Sequence, residues 1–104
     1  MYARVSTIQS AADKIDEGIA RLRETTVPAV KQIEGCKGIF SLIDRQTGKG
    51  ITVTLWESEE ALRASEEEAN RLRREAADEL GATTEPMVER YEVAIYEVAS
   101  PTAV

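Results

Sequence analysis

Residues 51–62, Ile-Thr-Val-Thr-Leu-Trp-Glu-Ser-Glu-Glu-Ala-Leu, run from a strictly alternating strand into an acidic helix start with no loop between them. Successive side chains of a strand point to opposite faces. Ile51, Val53 and Leu55 therefore share one face and Thr52, Thr54 and Trp56 the other. Ser58 is placed to cap the helix, and Glu59 and Glu60 suit the positive end of its dipole. A strand that carries the chain's one Trp on its second face needs cover on both sides.

The rest of the chain arranges itself around this junction. Residues 2–9 alternate and are rich in β-branched side chains, which predicts a first strand. Ser10 is a candidate N-cap for a helix whose face is Ala12, Ile15, Ile19, Leu22 and Thr26. Gly18 within that helix is read as a close-packing position against the sheet. Pro28 lacks an amide proton, so the helix is expected to break or kink there and resume as a short turn near it, capped by Gly35. Residues 36–45 read as a second strand, and a glycine-bearing loop at 46–50 turns it into the third. The second helix should bury Leu62, Ser65, Ala69, Leu72, Ala76 and Leu80, a narrow stripe built largely of small side chains. Its charges, including Glu59/Arg63 and Glu67/Arg71, form a solvated face. Gly81 ends it, and residues 91–98 are the predicted final strand, followed by a flexible tail at 99–104.

Strand, helix, strand, strand, helix, strand is the order of an α+β, ferredoxin-like βαββαβ domain spanning residues 1–98. It has a four-stranded antiparallel sheet with both helices on one face. Counting faces by aliphatic content assigns Ala3, Val5, Phe40, Leu42, Ile51, Val53, Leu55, Tyr91, Val93 and Ile95 to the helix-covered side. The open side then shows Tyr2, Ile8, Ile39, Ile43, Trp56, Tyr96 and Val98, with Arg4 and Glu92 among them. Soluble monomers rarely expose so large an apolar patch, so the expected partner is a second copy: a homodimer through the open sheet faces.

Composition narrows the function. The formal charge of −6, with basic residues interleaved among acids, argues against nucleic acid and anionic membrane surfaces. No apolar run approaches a membrane span. One Cys fits a cytoplasmic protein without disulfides, and the absence of His removes the commonest general base and most metal sites.

Two segments, Pro28-Ala-Val-Lys-Gln-Ile-Glu-Gly35 followed by Gly38, and Leu55-Trp-Glu-Ser-Glu-Glu-Ala61, resemble the antibiotic-biosynthesis-monooxygenase-like family of dimeric α+β barrel proteins. The resemblance covers about residues 2–98. It implies either cofactor-free oxygenation of activated aromatic molecules such as anthrones, or oxidative haem degradation. Haem-degrading members use an Asn on the first strand and a Trp and a His on the second helix. Here Ser6, Ser65 and Glu75 stand near those positions, so haem degradation is not expected. The remaining expectation is oxygenation of a small aromatic or polyketide-like substrate with no cofactor and no metal. Its candidate residues are Asn70, Trp56 and Tyr96. The alternative is a non-catalytic dimeric binding or interaction module on the same fold.

Each candidate also has a plainer reading. Trp56 packs in the dimer core; Asn70 faces solvent; Tyr96 and Tyr2 pair across the interface instead of reaching a ligand. Arg4 is read as half of an interface ion pair with Glu92, and Cys36 as a small buried or edge residue.

Overall fold

A computed structural model of the chain describes residues 1–82 and 84–99. Strands β1 (Tyr2–Gln9), β2 (Cys36–Ile43), β3 (Lys49–Trp56) and β4 (Met87–Glu92) form one antiparallel sheet in the order β2-β3-β1-β4. This is the ferredoxin-like order. The helices are α1 (Ile15–Arg21), α2 (Val27–Lys31), α3 (Glu59–Ala64) and α4 (Glu66–Glu79).

The helical run before β2 does not break at Pro28. A π-helical turn, Leu22–Thr26, joins α1 to α2, and the Val27 N–H donates to the Leu22 carbonyl five residues back. Pro28 then sits in the first turn of α2, immediately after that π-helical turn. The wider turn absorbs the proline and keeps the apolar stripe continuous. Gly18 packs against the Leu80 side chain, not against the sheet.

Ser10 is not a helix cap. Its hydroxyl donates to the Gly48 carbonyl at 3.0 Å, tying the end of β1 to the β2–β3 loop. Gly48 has φ +81, and a Cβ there would lie 2.3 Å from the Ser10 carbonyl oxygen. Asp44 closes the same loop by accepting from the Gln46 and Thr47 amides at 2.9 and 3.3 Å. Ser58 caps α3 as expected, accepting from the Ala61 amide at 3.1 Å. Along α4, Arg71 pairs with Glu68 and with Glu75 instead of Glu67.

The last strand lies four residues earlier than its alternation predicted. β4 pairs with β1 from Thr7↔Met87 to Tyr2↔Glu92, and the Val93 amide reaches the Met1 carbonyl at 2.9 Å. Residues 94–98 stand beyond this pairing, however well they alternate. Ile95, Tyr96 and Val98 are consequently exposed. Of the expected tail at 99–104, residues 100–104 lie outside the described residues.

The two faces of the sheet are the reverse of the aliphatic count. Trp56 is completely buried beneath the helices, in a cluster with Val30, Leu62 and Leu72. Arg4, Ser6, Ile8, Thr52 and Thr54 share its side. The aliphatic face is the open one, where Phe40, Leu42, Met87 and Tyr91 are about half exposed. Complementary size explains the inversion. The α4 stripe presents Ala69 and Ala76, and the α3–α4 break presents Ser65; such small side chains need bulky partners across the interface. Trp56 and Arg4 supply that bulk.

Candidate functional site

Between the helix-facing side of the sheet and the helices lies a narrow cleft that opens to solvent. Its floor carries Arg4, Thr52, Thr54 and Trp56 from β1 and β3; its roof carries Thr26, Val30, Leu72 and Arg73 from the helices. A second cavity continues from it, sharing Ile8, Leu22, Thr26, Thr52 and Ala76, and is bordered by Arg21 at its far end. The π-helical turn contributes Leu22 and Thr26 to both, so the local widening around Pro28 also shapes the cleft.

Trp56 forms a fixed wall. Its indole N–H donates to the Thr54 hydroxyl at 2.9 Å, which satisfies the ring's one donor. The Arg4 guanidinium carbon stands 5.5 Å from the ring centroid, within cation–π range.

Arg4 itself is 2% exposed. Its Nη2 donates to the Leu62 carbonyl at 2.8 Å and the Ser65 hydroxyl at 2.9 Å, and lies 3.1 Å from Glu66 Oε1. Those bonds gather at the α3–α4 break, where Ser65 also donates to the Leu62 carbonyl at 2.7 Å. The Arg4 Nε and Nη1 groups are buried without an acceptor among the described residues. Burial pulls the guanidinium's pKa below its ordinary value, against the pull of Glu66 and with a push from Arg90. The expected Arg4–Glu92 pair does not form: Glu92 accepts from the Tyr2 hydroxyl at 3.4 Å instead.

A second guanidinium borders the same cavity. Arg73 on α4 donates to the Ser6 hydroxyl at 3.4 Å and to the Asn70 side-chain oxygen. Burial, followed by repulsion from Arg4, lowers its pKa. Glu66, the one acid beside these groups, is bonded by Arg90 at 2.5 and 2.7 Å, and its carboxyl is held down to about 2, first by Arg90 and then by Arg4. Three arginines thus surround one carboxylate within a chain whose net charge is −6. No Asp, Glu or Tyr is among the described residues lining the cavity, and the chain has no His.

Of the three candidates, only Trp56 lines the cavity. Asn70 is one step removed, holding Arg73 from the outer side of α4. Tyr96 is 57% exposed on the segment after β4 and has no part in the cavity. Sequence reasoning misses Arg4 and Arg73 as site residues. The available signal for Arg4 is its parity: it shares a face with Ser6 and, through the register, with Thr54 and Trp56. Cys36 packs beside the core cluster, its thiol 3.7 Å from the Gly38 carbonyl.

Among the described residues, no three His, Cys, Asp or Glu side chains converge as a metal site would require. Nor do the residues fit a haem. The chain has no His for iron, and Glu75 is paired with Arg71 at 2.9 Å and Arg21 at 3.5 Å outside the first cavity. No described helix is long and apolar enough to cross a membrane.

Residues 1–72, which carry most of the cavity, match the family model described as antibiotic biosynthesis monooxygenase. The chain belongs to the antibiotic biosynthesis monooxygenase family. Two uncharacterized Mycobacterium tuberculosis proteins, Rv2557 and Rv2558, are 42% identical over 94 residues and 37% identical over 102. These alignments cover 90% and 98% of this chain but 41% and 42% of those proteins, so it spans less than half the length of the curated relatives it matches. Solved structures share the family fold. The monooxygenase from ActVA-Orf6 of Streptomyces coelicolor, in complex with nanaomycin D, superposes with a TM-score of 0.74 at 15% identity, covering 95% of this chain and 92% of that one. The heme-degrader MhuD from Mycobacterium tuberculosis, with two hemes bound, gives 0.68 at 24% identity, covering 94% and 100%.

Proposed function

We propose that the cavity between sheet and helices binds a small aromatic, polyketide-like molecule and promotes its oxygenation by dioxygen without a cofactor. The observation that carries this reading is the cavity's make-up: apolar walls from Val30, Ile39 and Leu72, the rigid indole of Trp56, and cationic groups at its edge. Family membership and the fold shared with a monooxygenase support it.

The chemistry needs an activated C–H group, as in an anthrone, whose conjugate base delocalises onto oxygen. Arg73 stabilises that oxygen as its charge develops, and the proton leaves to water at the open mouth. The carbanion transfers an electron to dioxygen, the two radicals combine as a peroxide, and loss of water leaves a carbonyl. In balance, one methylene group and one dioxygen molecule give one carbonyl group and one water. Trp56 and the apolar walls position the ring. Asn70 acts through Arg73, as a positioning residue.

A specific observation favours the alternative of a binding module without catalysis: no proton acceptor of the Asp, Glu, His or Tyr kind lines the cavity among the described residues. Oxygen uptake with anthrone and quinol substrates separates the two. Uptake above the uncatalysed rate, matched by carbonyl product and slowed in Arg73→Gln, supports the oxygenase; saturable binding with no acceleration supports the module.

The same reading places the chain in the cytoplasm, supported by its single free cysteine, and pairs two copies through the open sheet face. Phe40, Leu42, Met87 and Tyr91 form the apolar surface there.

A further inference from the structure

We propose that Arg4 anchors an anionic oxygen of the ligand, so that the cavity selects a planar apolar molecule carrying one ionised group, a carboxylate or a phenolate. This rests on the aromatic-cavity reading above and adds the charge of the ligand to it.

The argument begins with what Arg4 does for the fold. Its Nη2 alone makes every contact to the α3–α4 break and Glu66. A lysine ammonium could serve those acceptors as a compact point charge. What arginine adds, besides a planar cation beside the Trp56 ring, is Nε and Nη1, and both are buried with no acceptor in the protein among the described residues. Donors buried in that way carry their full desolvation cost, and native structures rarely retain them without a use. Arg4 borders the cavity, so a side-chain adjustment on binding would bring these buried donors to an acceptor entering there.

Local charge agrees. Glu66 is shared between Arg4 and Arg90, and Arg73 finds only the neutral Ser6 and Asn70. An anion entering the cleft meets a net positive charge beside apolar walls, where electrostatic attraction is stronger than in bulk water. The rest of the lining is apolar, so the remainder of the ligand should be too. Inorganic anions lack that body and should bind weakly.

Isothermal titration calorimetry on the intact chain tests this with 2-naphthoate, its neutral isostere 2-naphthamide, and 4-nitrophenol on either side of its own pKa. The expected result is naphthoate binding at least about tenfold more tightly than the amide, with that preference abolished in Arg4→Met and reduced in Arg4→Lys. Nitrophenol binding better as the phenolate extends the seat to phenolates; binding only by naphthoate confines it to carboxylates. Equal affinity for acid and amide overturns the anion seat and leaves the aromatic cavity standing. Binding of neither overturns both. A preference that survives in a folded Arg4→Met variant also refutes the assignment to Arg4. The wild-type acid-to-amide ratio decides the matter even where a variant fails to fold.

Discussion

Arg4 and Trp56 stand on one face of the sheet, two strands meeting at the register pairs Tyr2↔Trp56 and Arg4↔Thr54, with the guanidinium carbon 5.5 Å from the indole centroid. A fully buried aromatic and a buried cation with unmet donors occupy what would otherwise be an ordinary aliphatic core. Removing one partner of a buried ion pair is costly when it leaves the other charge uncompensated, but here Glu66 is a quarter exposed and would keep its paired bonds to Arg90. Arg4→Met should therefore lower stability by no more than about 1 kcal/mol, or raise it, while removing anionic-ligand binding. Urea unfolding monitored by Trp56 fluorescence provides the measurement. A loss of ~3 kcal/mol or more would mean that Arg4 is retained for the fold.

Glu66 sets how the molecule meets acid. Its carboxyl is held at about 2 in the folded chain against an ordinary 4.5. A depressed folded pKa contributes stability above the unfolded value and loses it as the carboxylate takes up its proton. Stability should thus fall between about pH 5 and pH 2. Solvent at the Arg90 side screens the pair, so the contribution is on the order of 1–2 kcal/mol. Glu66→Gln should flatten the stability profile across that window and leave its slope near neutrality unchanged. Unfolding midpoints at a series of pH values check this.

Local rules are readable where one residue decides them: Ser58 as a cap, the β2–β3 turn, the strand order. The faces are not, because alternation shows which residues lie together but not which set the helices cover. Aliphatic content points the wrong way. The better guide is the small-residue stripe on α4, which requires large partners and so selects Trp56 and Arg4. The end of β4 is unreadable for a different reason. Residues 91–98 alternate well, yet alternation does not say where a strand registers on its neighbour, and the pairing with β1 runs from Met87 to Glu92. The cavity depends on the choice of face, and only with the Trp56 side covered do Arg4 and Arg73 come together.

Gly35 and Gly81 both adopt positive φ, +86 and +60, but in different surroundings. A Cβ at Gly35 would lie 2.5 Å from Ala61 Cβ, whereas one at Gly81 would meet nothing within 4 Å. The Gly35 carbonyl also accepts from the Glu57 amide at 2.9 Å, pinning the end of the helical run against the β3–α3 junction. Gly81→Ala should cost about 1–2 kcal/mol, the left-handed penalty alone. Gly35→Ala adds overpacking against α3 and should cost ~2–4 kcal/mol in all. Thermal melts of the two variants side by side give the comparison, and equal losses would show that the loop before β2 yields freely.

The open sheet face tests the homodimer. Phe40 and Leu42 on β2 are 46% and 53% exposed, and Tyr91 on β4 is 51% exposed, so apolar side chains reach from one edge of the sheet to the other. If two copies pack there, a charge at Phe40 would be buried in the contact without a partner, a cost of several kcal/mol. Phe40→Glu should convert a two-chain mass in light scattering to a one-chain mass. The far-ultraviolet circular dichroism should stay unchanged, because Phe40 lies opposite the Trp56 core. Glu66→Gln, on the helix side, should leave the mass at two chains. A wild-type chain that scatters as a monomer at micromolar concentration would overturn the pairing. The exposed apolar face would then have to be covered by a different partner.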